Sequence, residues 1–477
     1  MTVNTSTPKE NYFEITTDVV LTDFAGKTYT LTGSNEQVSV QSIIIYESLE
    51  SPYLIAEMVI VDNGINLIGT IPITGMEKIT FGIKTPYFTD TEYKYEFRIS
   101  AVRNRTAGGK IQGYTFDLIS YEGLQNEALR IAKSYSDYGQ KIVKEILDIN
   151  FKTKKKLVVE DCKYKMKFIP RGQRPFELIY SMLSKCIPFS ASPSNKNTSK
   201  SSLPKPNTGG EAGATDVNVS ETISGSAGYF FWESYDGYNF KSIDALCDGP
   251  IKETYNYQIA KLDNGADSGR SILEYSYSNE IDVMKKMRCG TYSSMMVFFN
   301  PSTGQYEEYV FDIDKSYGTM KHLGKDEKIP EGPKQLSKYP TRIMTQFLDH
   351  ETFHNGSDVA SPDPKDNSKS GSSFPDYKKH YTAQSVSRLL LLENQQLSMV
   401  VHGNLNLRAG DKISILLPNF SVDSERKTER YDKQHSGNYL IKEISYEFYR
   451  QKNGQANIAV TNMTLVRDSF GSFTLDV

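Results

Sequence analysis

The sequence predicts an α+β chain that is mainly β, with two similar small antiparallel β-barrel units near its ends and a mixed α/β region between them. Alternating strands punctuated by Gly, Pro and Asn dominate both ends of the chain, whereas helical periodicity is confined to the middle. The segment Gly75-Met76-Glu77-Lys78-Ile79-Thr80-Phe81 reappears, one residue shorter, as Gly410-Asp411-Lys412-Ile413-Ser414-Ile415. Each copy leads on to a proline, Pro86 or Pro418, and then to a long alternating strand. Two copies of one β unit at opposite ends of a chain point to duplication.

In chain order, residues 12–121 read as β throughout. Phe13 to Leu31 gives a hairpin turning at Ala25-Gly26, and Leu54 to Val61 an apolar strand broken by Glu57, expected to be covered on both faces, either by its own sheet and a helix or by a neighbouring subunit. A short helical plug is expected from Asn63-Gly64 to Thr70. Tyr93, Tyr95, Phe97, Ile99 and Ala101 then alternate with Lys94, Glu96, Arg98 and Ser100, and a turn at Ala107-Gly108-Gly109 leads to a return strand through Tyr114, Phe116 and Leu118. Leu124, Ala128, Ile131, Ala132 and Tyr135 fall on one helical face, Ile142, Val143, Ile146 and Leu147 on a second, and Pro175 opens a third helix burying Phe176, Ile179, Tyr180 and Leu183.

Residues 190–228 are rich in Ser, Asn, Gly, Pro and Lys and read as a disordered or mobile loop. The aromatic run from Tyr229 to Phe240 follows as two strands around Asp236-Gly237, and core or subunit packing explains it better than a sugar platform. A short helix opens at Ser242 and Asp244, a helix is expected near 280–287, and a hairpin joins 295–299 to 306–311. A second polar insertion, 355–373, precedes a helix at 383–391 and a strand at 397–401. The C-terminal stretch closes with the strand holding Ile444, Tyr446 and Phe448, a hairpin at Lys452-Asn453-Gly454, and a return through Ile458, Val460, Met463 and Leu465.

At 477 residues the chain is too long for one core. A formal net charge of −3 excludes the strongly basic signature of a nucleic-acid-binding protein, and no apolar run reaches the length of a membrane span, so neither a leader nor an anchor is expected. Cys162, Cys186, Cys247 and Cys289 lie far apart without a CxxC, which points to free thiols in a chain folded in a reducing cytosol. The lysine run Lys152-Thr153-Lys154-Lys155-Lys156 reads as a solvated strand face, with a docking patch for an acidic partner as the alternative.

His350-Glu351-Thr352-Phe353-His354 is a literal HExxH, which on a helix aims two imidazoles at zinc with the glutamate as general base. Asn355-Gly356 stops a helix immediately after it, and only His380, beyond the insertion, lies within reach downstream as a third ligand. There is no GxSxG, GxxxxGK[ST] or strand-bound GxGxxG. No catalytic, cofactor-binding or metal residue is assigned, and no cofactor is expected.

His402-Gly403-Asn404-Leu405, the Arg408-Ala409-Gly410-Asp411 turn, Ser436-Gly437-Asn438-Tyr439-Leu440-Ile441 and Leu465-Val466-Arg467-Asp468-Ser469 resemble the baseplate hub proteins of contractile-tailed bacteriophages. Trp232-Glu233-Ser234-Tyr235-Asp236-Gly237-Tyr238, Phe240-Lys241-Ser242-Ile243-Asp244 and Thr32-Gly33-Ser34-Asn35-Glu36-Gln37 resemble the same family. The resemblance implies a non-enzymatic virion protein of the tail baseplate, made in the host cytoplasm: a homotrimer joining the tail tube hexamer to the central spike trimer. It also implies a channel through which DNA passes in transit, no membrane insertion, and further contacts with baseplate wedge and tape-measure proteins. The implied domains are an N-terminal tube-like β domain (1–121), a helical and mixed lower domain (122–228), the start of a second tube-like domain (229–260), a continuation of the lower domain (261–380), and completion of the second tube-like domain (381–477). Two alternatives are the hub of a type VI-like contractile injection system and a metal-dependent hydrolase acting through His350, Glu351 and His354.

Overall fold

The computed structural model describes residues 12–32, 38–71, 73–163, 165–188, 226–257, 268–279, 281–299, 301, 304, 306–324, 339–347, 376–420, 431–450 and 457–471. The polar stretches 190–225 and 355–373, the HExxH segment, Gly33 to Gln37 and the Lys452-Asn453-Gly454 hairpin lie outside them.

The N-terminal half runs as β1 (Glu14–Thr22), β2 (Thr28–Thr30), β3 (Val38–Ser48), β4 (Ile55–Asn63), the helical turn α1 (Leu67–Thr70), β5 (Lys78–Lys84), β6 (Tyr93–Gly108) and β7 (Ile111–Ile119). Alternation sets the faces: along β6, Tyr93, Tyr95, Phe97 and Ile99 are buried while Lys94 and Glu96 are exposed. Within this chain β4 is covered on one face, not by sheet and helix on both. Only its Ala56, Met58 and Ile60 face is buried, and Ile55 on the other face is 38% exposed, because the sheet presents that face to solvent within this chain.

The middle region holds α2 (Tyr121–Ala128), β8 (Tyr135–Tyr138), α3 (Gly139–Glu145) with a π-helical continuation through Ile146–Phe151, β9 (Leu157–Val159), β10 (Lys165–Phe168), α4 (Pro175–Leu183), β11 (Tyr229–Ser234), β12 (Gly237–Ser242) and α5 (Ile243–Asp248). The helix expected through Tyr135 stops at Ala128. Ile131 instead bridges Gln173, and Tyr135 pairs with Phe168, so tertiary pairing overrides the helical periodicity. α2 buries Glu122, Gly123 and Asn126 rather than its apolar periodic positions.

The second half opens with β13 (Ile251–Asn256) and β14 (Ile272–Asn279). A third region intervenes: α6 (Val283–Cys289), β15 (Ser293–Phe299), β16 (Tyr306–Asp312), α7 (Ile313–Ser316), β17 (Arg342–Phe347) and α8 (Asp376–Leu392). The half then resumes with β18 (Gln395–His402), β19 (Lys412–Leu416), β20 (Gly437–Tyr449) and β21 (Ile458–Arg467).

Both halves belong to one 13-stranded sheet, joined where β20 pairs antiparallel with β3. One large core lies along it, a second centres on Ile142, Leu147, Phe176, Phe231 and Phe240, and a third on Met296, Phe298, Phe311 and Leu391. The aromatic run serves the first two. Phe230 and Trp232 enter the sheet core, while Tyr229, Phe231, Tyr238 and Phe240 enter the second.

Candidate functional site: the repeated half-sheet and its anchors

The two halves share a strand order. In the first it is β3-β4-β7-β6-β5-β1, and in the second β14-β18-β21-β20-β19-β13, with each strand in the same place along the chain. Register agrees along the central row, while β14 slips between Tyr277 and Asn279 and β6 between Arg103 and Thr106 without a counterpart in the other half. Ile45 pairs with Ala56, Ala56 with Leu118 and Leu118 with Ile99; in the second half the row runs Tyr277, Leu397, Leu465, Ile441.

Irregularities repeat as well. A bulge separates Ile99 from Ala101 on β6 and Ile441 from Glu443 on β20, and another separates Val40 from Ser42 on β3 and Ile272 from Glu274 on β14. Bulges re-aim a strand at one defined residue, so coincident bulges mark equivalent backbones.

The turn recognised in the sequence is the same hydrogen-bonded object in both halves. Met76 N donates to Ile99 O at 2.7 Å and Ile99 N returns to Glu77 O at 3.0 Å; Gly410 N donates to Ile441 O at 2.8 Å and Ile441 N returns to Asp411 O at 3.0 Å. The carboxylate three residues after the turn's start accepts its backbone N–H, Thr74 N to Glu77 at 2.7 Å and Arg408 N to Asp411 at 2.9 Å. Met76 and Gly410 therefore occupy one left-handed position, with φ of 73° and 89°. The first copy tolerates a side chain there because Met76 points to solvent, whereas a Cβ on Gly410 would lie 2.7 Å from Trp232 Cζ2.

Two buried carboxylates tie the aromatic strand to both halves. Glu233 accepts from Leu54 N at 3.1 Å and Ser120 Oγ at 2.7 Å, and Glu47 accepts from Tyr235 N at 3.0 Å and Ala409 N at 3.3 Å. Burial pushes the Glu47 carboxyl up to about 7, against the opposing pull of the Arg408 guanidinium and the two N–H donors. Arg408 reaches Asp236 at 3.2 Å and lies over the rings of Tyr93 and Tyr235, each 5.1 Å away. Trp232 Nε1 donates to Ala409 O at 3.1 Å.

Each half's last strand ends at an ion cluster with buried carboxylates that docks a side region. After β7, Lys155 bridges Glu122 and Glu233. Lys152, Lys154, Lys155 and Lys156 are all exposed, as a solvated face requires, but the Lys155 ammonium is held by the two buried carboxylates. After β21, Asp468 meets Arg388 at 2.6 Å and His322 at 2.8 Å, with Asp244 3.4 Å from the same guanidinium. Burial alone would push the Asp468 carboxyl up, but Arg388 and the His322 hydrogen bond hold it well below the usual carboxylate range. Sequence reasoning missed Arg388, Asp244 and His322, since partners so far apart in the chain leave no local pattern.

A cavity of about 450 Å³ beside this cluster is lined by Cys247, Tyr317, Met320, Lys321, His322 and Lys412, among others. Its imidazole and thiol are poorly placed for catalysis. Both His322 ring nitrogens face acceptors, Asp468 and Tyr317 O, and burial pushes the Cys247 thiol up, away from the thiolate that a nucleophile needs. Among the described residues no group of three or more His, Cys, Asp or Glu is placed to hold a metal ion, and no helix is long and apolar enough to cross a membrane. The four cysteines are free thiols.

No family model and no curated protein matches the sequence. Among solved structures, the chain is similar to the tail protein from Neisseria meningitidis MC58, with a TM-score of 0.50 and 11% identity over 94% of this chain and 96% of that one. The 43 kDa tail protein of prophage MuSo2 from Shewanella oneidensis aligns with a TM-score of 0.46, 9% identity, and 94% and 98% coverage. Prophage tail protein gp18 from Listeria monocytogenes EGD-e aligns at 0.44, 11%, and 94% of both chains. At 11% identity the first likeness is one of fold: this mainly β chain has the fold of a tail protein.

Proposed function

We propose that this chain is a structural subunit of a phage tail baseplate: a homotrimeric hub that joins the tail tube hexamer to the central spike trimer and leaves a passage for DNA. The observation that carries the reading is the repeated half-sheet, with its matching strand order, turn and bulges. A six-fold tube meets a three-fold spike without mismatch only through a piece that presents six similar units to one and three to the other. A duplicated half-sheet in a trimer meets that requirement. The middle and third regions, each present once per chain, supply the three-fold part that contacts the spike. The work of such a part is mechanical and needs no catalytic group.

Native mass spectrometry and negative-stain imaging of the purified chain test this. A trimer forming a ring with a pore and six peripheral lobes is expected, alone or with the spike chain. A stable monomer or dimer in both conditions would overturn it. Stoichiometric zinc that disappears on His350→Ala would instead favour the hydrolase reading.

A further inference from the structure

We propose that the outer half of β6, residues 100–108, pairs antiparallel with the free edge of β14 from a second copy of this chain. The contact that β20 makes with β3 inside one chain would thus be repeated between chains. This rests on the trimeric-ring reading above and names its contact.

The long strand of each half is used in two parts. On β20, residues 437–440 pair with β19, and residues 443–449 pair on that same side with β3, the first strand of the neighbouring half. β6 is built alike: Tyr93 to Arg98 pair with β5, and beyond Ile99 the same side carries no strand among the described residues. β14 is the counterpart of β3, and among the described residues it pairs with β18 on one side only. The described residues therefore hold one completed seam and the two unmatched sides of a second. A long unpaired strand edge is a template for another chain.

The completed seam supplies the register. There Ser445 faces Tyr46, Glu447 faces Ile44 and Phe448 faces Ile43. Arg103 corresponds to Ser445, and after the extra residue that β6 carries between Arg103 and Thr106, Thr106 corresponds to Glu447 and Ala107 to Phe448. On the other strand Asn279, Ser276 and Tyr275 correspond to Tyr46, Ile44 and Ile43. Arg103 thus falls opposite Asn279 of a second copy, Thr106 opposite its Ser276 and Ala107 opposite its Tyr275. In the same register Glu274 of the second copy falls opposite Gly108, so the seam joins mainly polar and small residues. Both edges also hold apolar side chains in solvent, Val102 at 38% and Leu273 at 44% exposure. Three copies joined in this way close a ring of six half-sheets with alternating internal and intermolecular seams.

The test is the full chain carrying Thr106→Cys and Ser276→Cys, oxidised or bridged with a short bis-thiol reagent. Three of the native cysteines are buried and Cys289 is partly so; each single variant controls for them. Covalent dimers and trimers from the double variant, and from neither single variant, are expected. Ser276→Lys, which sets a like charge against the arginines of β6, should raise the concentration at which trimer forms by about tenfold while leaving the monomer's circular dichroism unchanged. A native trimer that does not cross-link overturns the seam and leaves the ring reading standing, as does a cross-link closed within one chain. A monomer or dimer with no cross-link overturns both.

Discussion

The two halves of the sheet share the pairing of their five inner strands and differ in side chains, and the differences follow what covers each strand. On β20, Ile444, Tyr446 and Phe448 are buried, since β3 completes the sheet beside them and Phe13 packs on Phe448 with ring centroids 5.0 Å apart. The corresponding stretch of β6 carries Val102, Arg103, Asn104 and Arg105, all exposed in the single chain. The outermost strands differ too: β1 runs antiparallel to β5, but β13 runs parallel to β19. Between β3 and β4 the first half has a short connection, and at the same point the second half inserts the whole third region. What a repeat preserves is backbone pairing and bulge position; apolar character is kept only where the same chain provides the cover.

The exit anchors differ in depth. Arg388 and Asp468 are fully enclosed, whereas the Lys155 side chain keeps 34% of its exposure. The largest effect is therefore expected at the second anchor. Asp468→Asn leaves the Arg388 charge buried without its carboxylate and should cost about 3–5 kcal/mol in chemical denaturation. A cost under about 1 kcal/mol would show that the two anchors are equally shallow. In the native protein, the stability that Asp468 contributes is present above the ordinary carboxylate range and is lost as pH falls through its depressed value.

Next comes the internal seam, where Glu47 lies opposite Ile444. Its carboxyl holds a proton more tightly in the folded chain than the ordinary value of 4.5, so its contribution is complete below that value and is lost as pH rises through about 7. That window corresponds to about 3 kcal/mol. Glu47→Gln should flatten the dependence of the denaturation midpoint on pH between 5 and 8, and an unchanged slope would remove Glu47 as its source.

The paired turns give the smaller effects. Gly410→Ala meets both the left-handed φ and Trp232 and should destabilise by about 2–3 kcal/mol. Met76→Gly, at the matching position facing solvent, should stabilise by about 0.5 kcal/mol, since relief of φ strain slightly exceeds the added freedom of the unfolded chain. Thermal melts of the two variants read the contrast. Equal losses at both sites would mean that the turns are not equivalent.

Much of this plan is legible in the residues because strands announce themselves by alternation. Tyr93 to Ile99 and Ile444 to Phe448 declare their buried faces, and the Lys78-Ile79 and Lys412-Ile413 segments declare the repeat. Ser242 caps α5 as its position implies, accepting from Ala245 N at 3.1 Å. Other features have no local signature. Ile131 and Tyr135 fit a helical stripe but find strand partners at Gln173 and Phe168. Lys155 looks like its neighbours in a charged run until Glu122 and Glu233 arrive from elsewhere in the chain. The Arg388 anchor is assembled from α5, the segment before Leu323, α8 and the end of β21, so it exists only after folding.

The ladder between β3 and β20 also bears on how this molecule transmits load. Residues 42–48 run alongside residues 443–449, so a pull directed along those strands is resisted by many backbone bonds at once, in shear, instead of opening them one after another from an end. No flexible tether intervenes at that joint, so a displacement imposed on either half is passed to its neighbour as a rigid movement with little slack.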